Sequence, residues 1–513
     1  MTRPGSLARN VLSNWLNIPV RVAYGLIITP IMVRALDTEL YGVWSFVNGL
    51  LMYSDLLYVG LGSAVIKYVA QHRANNDQPA INRLISVVGG IYGVIGIICF
   101  AVMSAMSAVV PHIFAEPLSA DAARAASSTC VLLGAQLFFI FVGSAFSGLI
   151  CGHDRYDLVN MAGLATVGLR FLAIPLILAS GHDPLFRLAL LTCSAAALQT
   201  LTLAAIAFRL VPRLSVGVVR WRVAELRMLY GFGVQSFFII LAVRIVSFTD
   251  TTIIGIMLGA SSVALYALPL QLMEYGRTVV GGFTGVWLPR LTLLTTRGDM
   301  ASMREAYLSA NRIACFLTSW LGATVMTLGP AFLNRWVGDE FGTPAQWVLS
   351  FLAIAAFGQV LSTHAPLGFY QALYLVSFPA KVLMLEALLN LGLSIWLAPR
   401  LGITGVALAT ALPAVCVSAV LLPPYLCRHL ELPVRTFFVA AVLPGGLMFV
   451  ANAVVLWLSG LVITAHSYPA IVARAALSIP VGVLVFFATF PPQERKAVGE
   501  LLSNLRKITP RLV

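Results

Sequence analysis

Apolar stretches of about 20 residues, the length that crosses a bilayer as an α-helix, recur along this chain from near Asn14 to Phe490, with short polar breaks between them. Fourteen such runs stand out, at 14–33, 41–65, 84–110, 126–151, 157–178, 186–208, 229–258, 263–289, 311–333, 345–370, 380–398, 402–423, 437–459 and 470–490. They predict an all-α polytopic membrane protein. Met1 to Asn10 leads into the first apolar run without a small-residue cleavage site, so the first helix is expected to stay in the protein rather than leave as a signal peptide.

Composition supports this reading. Of 513 residues 59% are hydrophobic and only 10% charged, with a mean hydropathy of +0.91, whereas a soluble domain carries about 25% charged residues. The net charge of +13 reads as topology signal and attraction to anionic lipid rather than as a nucleic-acid surface. With a cytoplasmic N-terminus, twenty-three of the 33 Lys and Arg residues fall on the cytoplasmic side, six on the opposite side and four within the membrane. Both termini are therefore expected in the cytoplasm. The seven cysteines are dispersed along apolar segments and show neither metal-ligand spacing nor a disulfide framework.

An internal repeat organises the chain. Leu36 to Trp44 closes one long helix and opens the next, and 222 positions later Leu258 to Tyr266 does the same. Six helices separate the two points, so the halves keep one orientation about an axis along the membrane normal. The expected layout is an N-lobe at 1–208, a basic cytoplasmic linker at 209–228 and a C-lobe at 229–428. Two further helices follow at 429–490, with a cytoplasmic tail at 491–513. The two six-helix lobes would enclose a central cleft.

The four intramembrane cations are Arg21, Arg170, Arg244 and Arg277. Charge inside a bilayer is costly and usually faces a watery cavity, so these residues suggest a path for something anionic. The repeat carries Arg21 to within one residue of Arg244, which puts a guanidinium on the first helix of each lobe. Asp55 maps onto Arg277. For Arg277 a local partner is available in Glu274, three residues away on the same helical face. Arg170 has no evident partner and is open between a lumen-facing and a structural role. Snorkelling or mutual pairing is the plainer alternative for all of them.

Several stretches resemble the polysaccharide flippases, including the O-antigen translocases, of the multidrug/oligosaccharidyl-lipid/polysaccharide exporter superfamily. They are Arg9-Asn10, the Leu40-Tyr41-Gly42-Val43-Trp44 turn, Asp55 to Ala64 leading to Lys67-Tyr68, and Thr249 to Gly255 with Leu258-Gly259. The resemblance implies alternating access that moves an undecaprenyl-pyrophosphate-linked oligosaccharide from the cytoplasmic to the outer leaflet of the bacterial inner membrane, with no chemistry on the substrate. Guanidinium forks suit that head group because they bind phosphate oxygens bidentately. Arg21 and Arg244 would then clamp the pyrophosphate, with Arg277 as a third contact and the apolar carrier tail left in lipid. A docking surface for other polysaccharide biosynthesis enzymes on the cytoplasmic face is a further expectation.

No cofactor is expected. None of the four lysines follows a glycine, so the Gly-Lys step of a phosphate-binding loop is absent. Asp55, Asp250, Glu274 and Glu386 are carboxylates in or near apolar runs that can take H⁺ or Na⁺ and couple transport to an ion gradient; charge balance for nearby arginines is the alternative. Histidines at i, i+4 and a Gly-x-Ser-x-Gly motif are both missing, which removes zinc-protease and serine-hydrolase readings. Two other classes are weighed. A multidrug or small-cation exporter of the same superfamily would line its cavity with carboxylates and aromatics, and a membrane polymerase or ligase would carry a large external loop. Pro19, Pro30, Pro269 and Pro413 mark candidate bends, Gly276, Gly281, Gly282 and Gly285 a close helix contact, and Trp336 and Trp347 the membrane interface.

Overall fold

The structure, a computed structural model, describes residues 4–58, 61–179, 183–217, 234–284, 287–464 and 467–496. Among these residues there is no strand. Among the described residues eleven helical spans are long and apolar enough to cross a membrane. Two of them turn back at a single residue: α1 (Pro4–Met52) at Asp37 and α13 (Ser377–Pro413) at Gly402, where φ is 59° and 61°. These turns and the helix Ala260–Thr284 bring the helical runs to the fourteen that the hydropathy pattern predicts.

The remaining elements are α2 (Leu61–Ala74), α3 (Gln78–Ile113), α4 (Ala120–Gly152), α5 (Tyr156–Leu178), α6 (Pro184–Leu210), α7 (Val234–Leu258), α8 (Ala260–Thr284), α9 (Trp287–Arg297), α10 (Met300–Trp336), α11 (Asp339–Gln359), α12 (Leu367–Ala372), α14 (Ala419–His429), α15 (Val434–Phe437), α16 (Leu443–Val462) and α17 (Tyr468–Thr489). Several outrun their apolar cores. At 37 residues, α10 is roughly 55 Å long against a hydrocarbon thickness of about 30 Å, so its first turns, with Arg304, extend the helix ahead of the apolar run that begins at 311.

Packing divides the chain into two compact units, Met1–Leu268 with Val376–Thr410, and Pro269–Leu375 with Ala411–Val513. In the first, α3 packs on α4, α4 on α6, and α1 on α4, α5 and α7. The second arm of α1 meets α7 and the start of α8 by close approach: a Cβ at Gly42 would overlap the Ala260 carbonyl, and one at Gly255 would strike the Phe46 ring. At that end Asp37 Oδ1 accepts from Leu40 N at 2.9 Å. Glu39 accepts from both Ser119 N and Ser119 Oγ, at 3.0 and 2.9 Å, and Ser119 in turn caps α4. The repeat is visible in the backbone, because positive φ occurs at Asp37 and Gly259 and again at Asn76 and Gly298, each pair 222 positions apart.

In the second unit α10 packs on α11, α16 and α17. Polar ties hold the last two long helices to it at three levels. Tyr468 Oη donates to Arg335 O at 3.0 Å. Trp320 Nε1 donates to Ser478 Oγ at 2.9 Å, while Asn452 Nδ2 donates to Trp320 O and Thr324 Oγ1, both at 3.0 Å. Buried Arg312 bonds Glu494 at 2.7 Å and the Ala440 carbonyl. Three π-helical turns, Val360–His364, Ala414–Ser418 and Phe438–Val442, also lie in this unit. The second directly follows Pro413, which has no N–H for an α-helical bond.

Two expectations are corrected. Trp347 is 61% exposed, as an interface residue would be, but Trp336 is buried and stacks on Phe332; its flat ring serves packing within the unit. In α8, Gly276 and Gly281 leave ordinary or open space and Gly285 lies outside the described residues, while tight backbone approaches occur at Gly42, Gly358 and Gly445. Gly42→Ala is therefore expected to destabilise the protein by about 1–3 kcal/mol. Gly93→Ala, where nothing lies within 4 Å, should be neutral or stabilising by about 0.5–1 kcal/mol. Thermal unfolding of the two variants in detergent checks the contrast.

Candidate functional site

Arg21, which is exposed, and Arg170, which is half-buried, lie near each other in the first unit. The first arm of α1 carries Arg21 and Tyr24; α5 carries Gly163 and, two turns on, Arg170; α6 carries Thr192 and, two turns on, Gln199. These three helices pack on one another. Gly163 leaves the room that this requires, since the position its Cβ would take is 3.6 Å from Arg21 Nη2 and 4.0 Å from Gln199 Nε2. Arg170 Nη2 donates to the Thr192 carbonyl at 3.2 Å, and its buried Nε has no partner. Arg21 and Tyr24 are both near enough to act electrostatically on Arg170.

Among the described residues no carboxylate pairs with either guanidinium. Two like charges, an amide and a phenol therefore lie close together with no carboxylate from the described residues paired to either charge. Such a site attracts an oxyanion, because each guanidinium offers forked donors and the resident charge is uncompensated.

Arg244 has different surroundings. It lies over the ring of Phe248, 5.4 Å from its centroid and one turn along α7. Phe248 meets Tyr53 edge-on at 6.2 Å, and Tyr53 Oη lies 3.3 Å from Thr252 Oγ1. Arg277, in the second unit, is engaged as its sequence spacing suggested: Nη1 donates to Glu274 Oε1 at 2.5 Å, with the arginine side chain 14% exposed and the glutamate 50%. The side chain of Asp55 lies outside the described residues.

Asp250 sits in a second polar pocket of the first unit. It is buried on α7, and its Oδ2 accepts from Tyr266 Oη of α8 at 2.7 Å and from Thr410 Oγ1 at 2.8 Å. Thr410 Oγ1 accepts in turn from Asn390 Nδ2 at 3.0 Å. Glu386, Asn390 and Ser394 follow one another at every fourth position of α13, all buried, and the oxygens Asn390 Oδ1 and Ser394 Oγ have no hydrogen-bond partner. Sequence reading finds Asp250 and Glu386 by their charge but misses Tyr266, Asn390 and Thr410, because neutral polar side chains do not stand out in apolar helices. The every-fourth-residue spacing on α13 was the available signal. No group of three or more His, Cys, Asp or Glu able to hold a metal occurs among the described residues.

Residues 7–294 match the family described as polysaccharide biosynthesis protein. The uncharacterized membrane protein EpsK of Bacillus subtilis (strain 168) is 23% identical over 490 residues, covering 93% of this chain and 94% of its own. Among solved structures, the lipid II flippase MurJ in an inward closed conformation superposes with a TM-score of 0.67 at 11% identity, over 93% of this chain and 98% of that one. An inward-facing multidrug resistance MATE family transporter of the MOP superfamily gives 0.65 at 15%, over 81% and 95%. The fold is shared with both.

Removing one charge of the uncompensated pair should stabilise the empty protein. Arg170→Gln is expected to raise the thermal midpoint in detergent. Inorganic pyrophosphate, which at a hundred times its Kd would stabilise the wild type by about 2.7 kcal/mol, should lose most of that effect in the variant.

Proposed function

We propose, for a chain that belongs to the polysaccharide biosynthesis protein family, that it is a transporter of the bacterial inner membrane which carries a polyprenyl-pyrophosphate-linked oligosaccharide from the cytoplasmic to the outer leaflet. The observation that carries this reading is the Arg21–Arg170 pair, two guanidiniums near each other that no carboxylate among the described residues pairs with. A pyrophosphate moved through hydrocarbon loses its hydration at great cost. Arginine forks return part of that loss as charge-assisted hydrogen bonds.

In this mechanism Arg21 and Arg170 bind pyrophosphate oxygens, and the Gln199 amide and Tyr24 hydroxyl beside them supply neutral hydrogen bonds. Arg244 and Arg277 are further phosphate contacts, each in its own surroundings. The apolar carrier stays in lipid while the head group passes by alternating access, with both termini on the cytoplasmic side. A small-cation exporter would need carboxylates where this chain has arginines. The family match and the lipid II substrate named for MurJ support the same choice.

Coupling to an ion gradient is assigned to the Asp250 pocket. One carboxylate, two buried oxygens with no hydrogen-bond partner and a threonine hydroxyl suit H⁺ or Na⁺, since hard cations take oxygen ligands. Glu386, one turn from Asn390, would set the charge of the pocket.

In cells lacking the protein, lipid-linked oligosaccharide should accumulate in the cytoplasmic leaflet, and the wild-type gene should relieve it. Arg21→Ala and Arg170→Ala should each cut translocation by about 10- to 100-fold, the worth of a hydrogen bond to a charged group, while lysine at either site should be intermediate. Normal outer-leaflet delivery in both alanine variants would refute the role of the pair.

Asp250→Asn should abolish the dependence of initial rate on an imposed Na⁺ or H⁺ gradient in proteoliposomes. If the wild-type rate is unchanged after both gradients are collapsed, the coupling assignment fails.

A further inference from the structure

Helices α16 and α17 close the second unit, and each carries an apolar face that no other part of the unit covers. On α16 the exposed residues Val450, Val454, Trp457 and Leu461 follow the alternating four- and three-residue spacing of one helical face, and on α17 Leu477 and Leu484 are exposed as well. Arg474 breaks this apolar pattern. It lies six residues into α17, about 9 Å along the helix from Tyr468, at the end remote from Glu494, and it is half-buried.

Its guanidinium is held against α16. Nε donates to Ser459 Oγ at 3.1 Å, and Nη2 donates to the Leu456 carbonyl at 2.6 Å. Gly460 supplies the room, since a Cβ there would come 2.8 Å from Nη2 and 3.6 Å from Nη1. A hydroxyl and a carbonyl orient the cation but do not balance its charge. Among the described residues no carboxylate pairs with Arg474, and Nη1 has no hydrogen-bond partner.

The depth of the site is set by the ends of the helices around it. Tyr468, the first residue of α17, donates from Oη to Arg335 O in the last turn of α10 at 3.0 Å, and the Arg335 guanidinium lies over its ring at 5.8 Å. Leu456 and Ser459 fall within the last two turns of α16. That is the head-group boundary, where an exposed tryptophan such as Trp457 also belongs. A cation there, held on one side by neutral acceptors, leaves donors for an anion that the bilayer itself can supply. Phosphate head groups bind in basic pockets between transmembrane helices, and a guanidinium engages phosphate through its forked donors.

We propose that Arg474, seated on Leu456, Ser459 and Gly460, binds the phosphate of an anionic phospholipid whose acyl chains lie along the exposed faces of α16 and α17. The head group is the counter-ion that this helix pair lacks, and its binding tightens α17 on α16 from the membrane side. An anionic head group is favoured over phosphatidylcholine because the latter brings its own ammonium to the site. The occupancy of the site does not depend on what the protein carries.

The test uses the full-length protein in a neutral detergent, titrated with phosphatidylglycerol, phosphatidylcholine or soluble glycerol 3-phosphate. Retained lipid is counted by native mass spectrometry and the thermal midpoint is followed in parallel. Wild type should retain phosphatidylglycerol in preference to phosphatidylcholine and gain thermal stability from it. Arg474→Gln should hold one phosphatidylglycerol fewer, with affinity at the site lowered about 10- to 100-fold, the worth of a hydrogen bond to a charged group.

Gly460→Ala keeps every charge. Its methyl group meets the mobile end of the Arg474 side chain, so the variant should fold, yet it moves the guanidinium off its seat and should weaken binding as well. Arg400→Gln removes an exposed arginine from the first unit and should leave phosphatidylglycerol retention unchanged.

If Arg474 merely ties α17 to α16, Arg474→Gln will lower the thermal midpoint equally with and without phosphatidylglycerol and retain that lipid as wild type does, which overturns the proposal. Equal retention of the two lipids by wild type overturns it too. Glycerol 3-phosphate bound as tightly as phosphatidylglycerol would assign the seat to free phosphate and refute the lipid. Should Arg474→Gln fail to fold, Gly460→Ala decides: full retention of phosphatidylglycerol in that variant rejects the site.

Discussion

Hydrocarbon offers an ion nothing to hold, and the chain meets that constraint differently at each ionisable group in its spans. Glu274 and Arg277 neutralise each other within one helical turn. Asp250 is held by the hydroxyls of Tyr266 and Thr410, so the donors to its Oδ2 bring no charge of their own. Arg312 takes a carboxylate, a backbone carbonyl and the face of Phe490. Arg21 and Arg170 differ: among the described residues neither is paired with a carboxylate, and their charges add. A cost of this kind persists where the environment later supplies an anion, as sites that trade stability for function do.

The same constraint shapes the backbone. Where a helix in lipid loses an α-helical hydrogen bond, neighbours or a local change of helix type must re-satisfy the groups released. Pro413 is followed at once by a π turn, and the turn at His364 is locked by the backbone contact between Gly358 and Ala414. A substitution at Gly358 would therefore disturb two helices and the direction of an imidazole, although it alters no polar atom.

Much of this was legible in the chain. Hydropathy located the helical runs because each must bury some 20 apolar residues in lipid, and the Leu36–Trp44 and Leu258–Tyr266 turns marked a repeat whose positive-φ residues fall on the same offset. The Glu274–Arg277 pair came from spacing on one helix. What sequence spacing does not encode is which separate helices meet. The pairing of Arg21 with Arg170 depends on packing among α1, α5 and α6, and on the empty side chain of Gly163. The Asp250 pocket depends on α13 returning to α7 from 160 residues further along the chain. Neutral residues such as Thr410 and Gln199 acquire meaning only once those neighbours are known.

The tie between Arg312 and Glu494 bears on how this protein can be handled. Glu494 lies beyond the last membrane-spanning helix, in a stretch that a hydropathy plot would assign to a dispensable end. Yet its carboxylate answers a buried guanidinium on α10. Ending a recombinant chain at Phe490, or fusing a reporter there, would strand that arginine, and leaving one member of a buried pair alone costs about 3–5 kcal/mol. The practical boundary for truncation or fusion lies after the helical turn that carries Glu494, several residues later than the membrane pattern alone would place it.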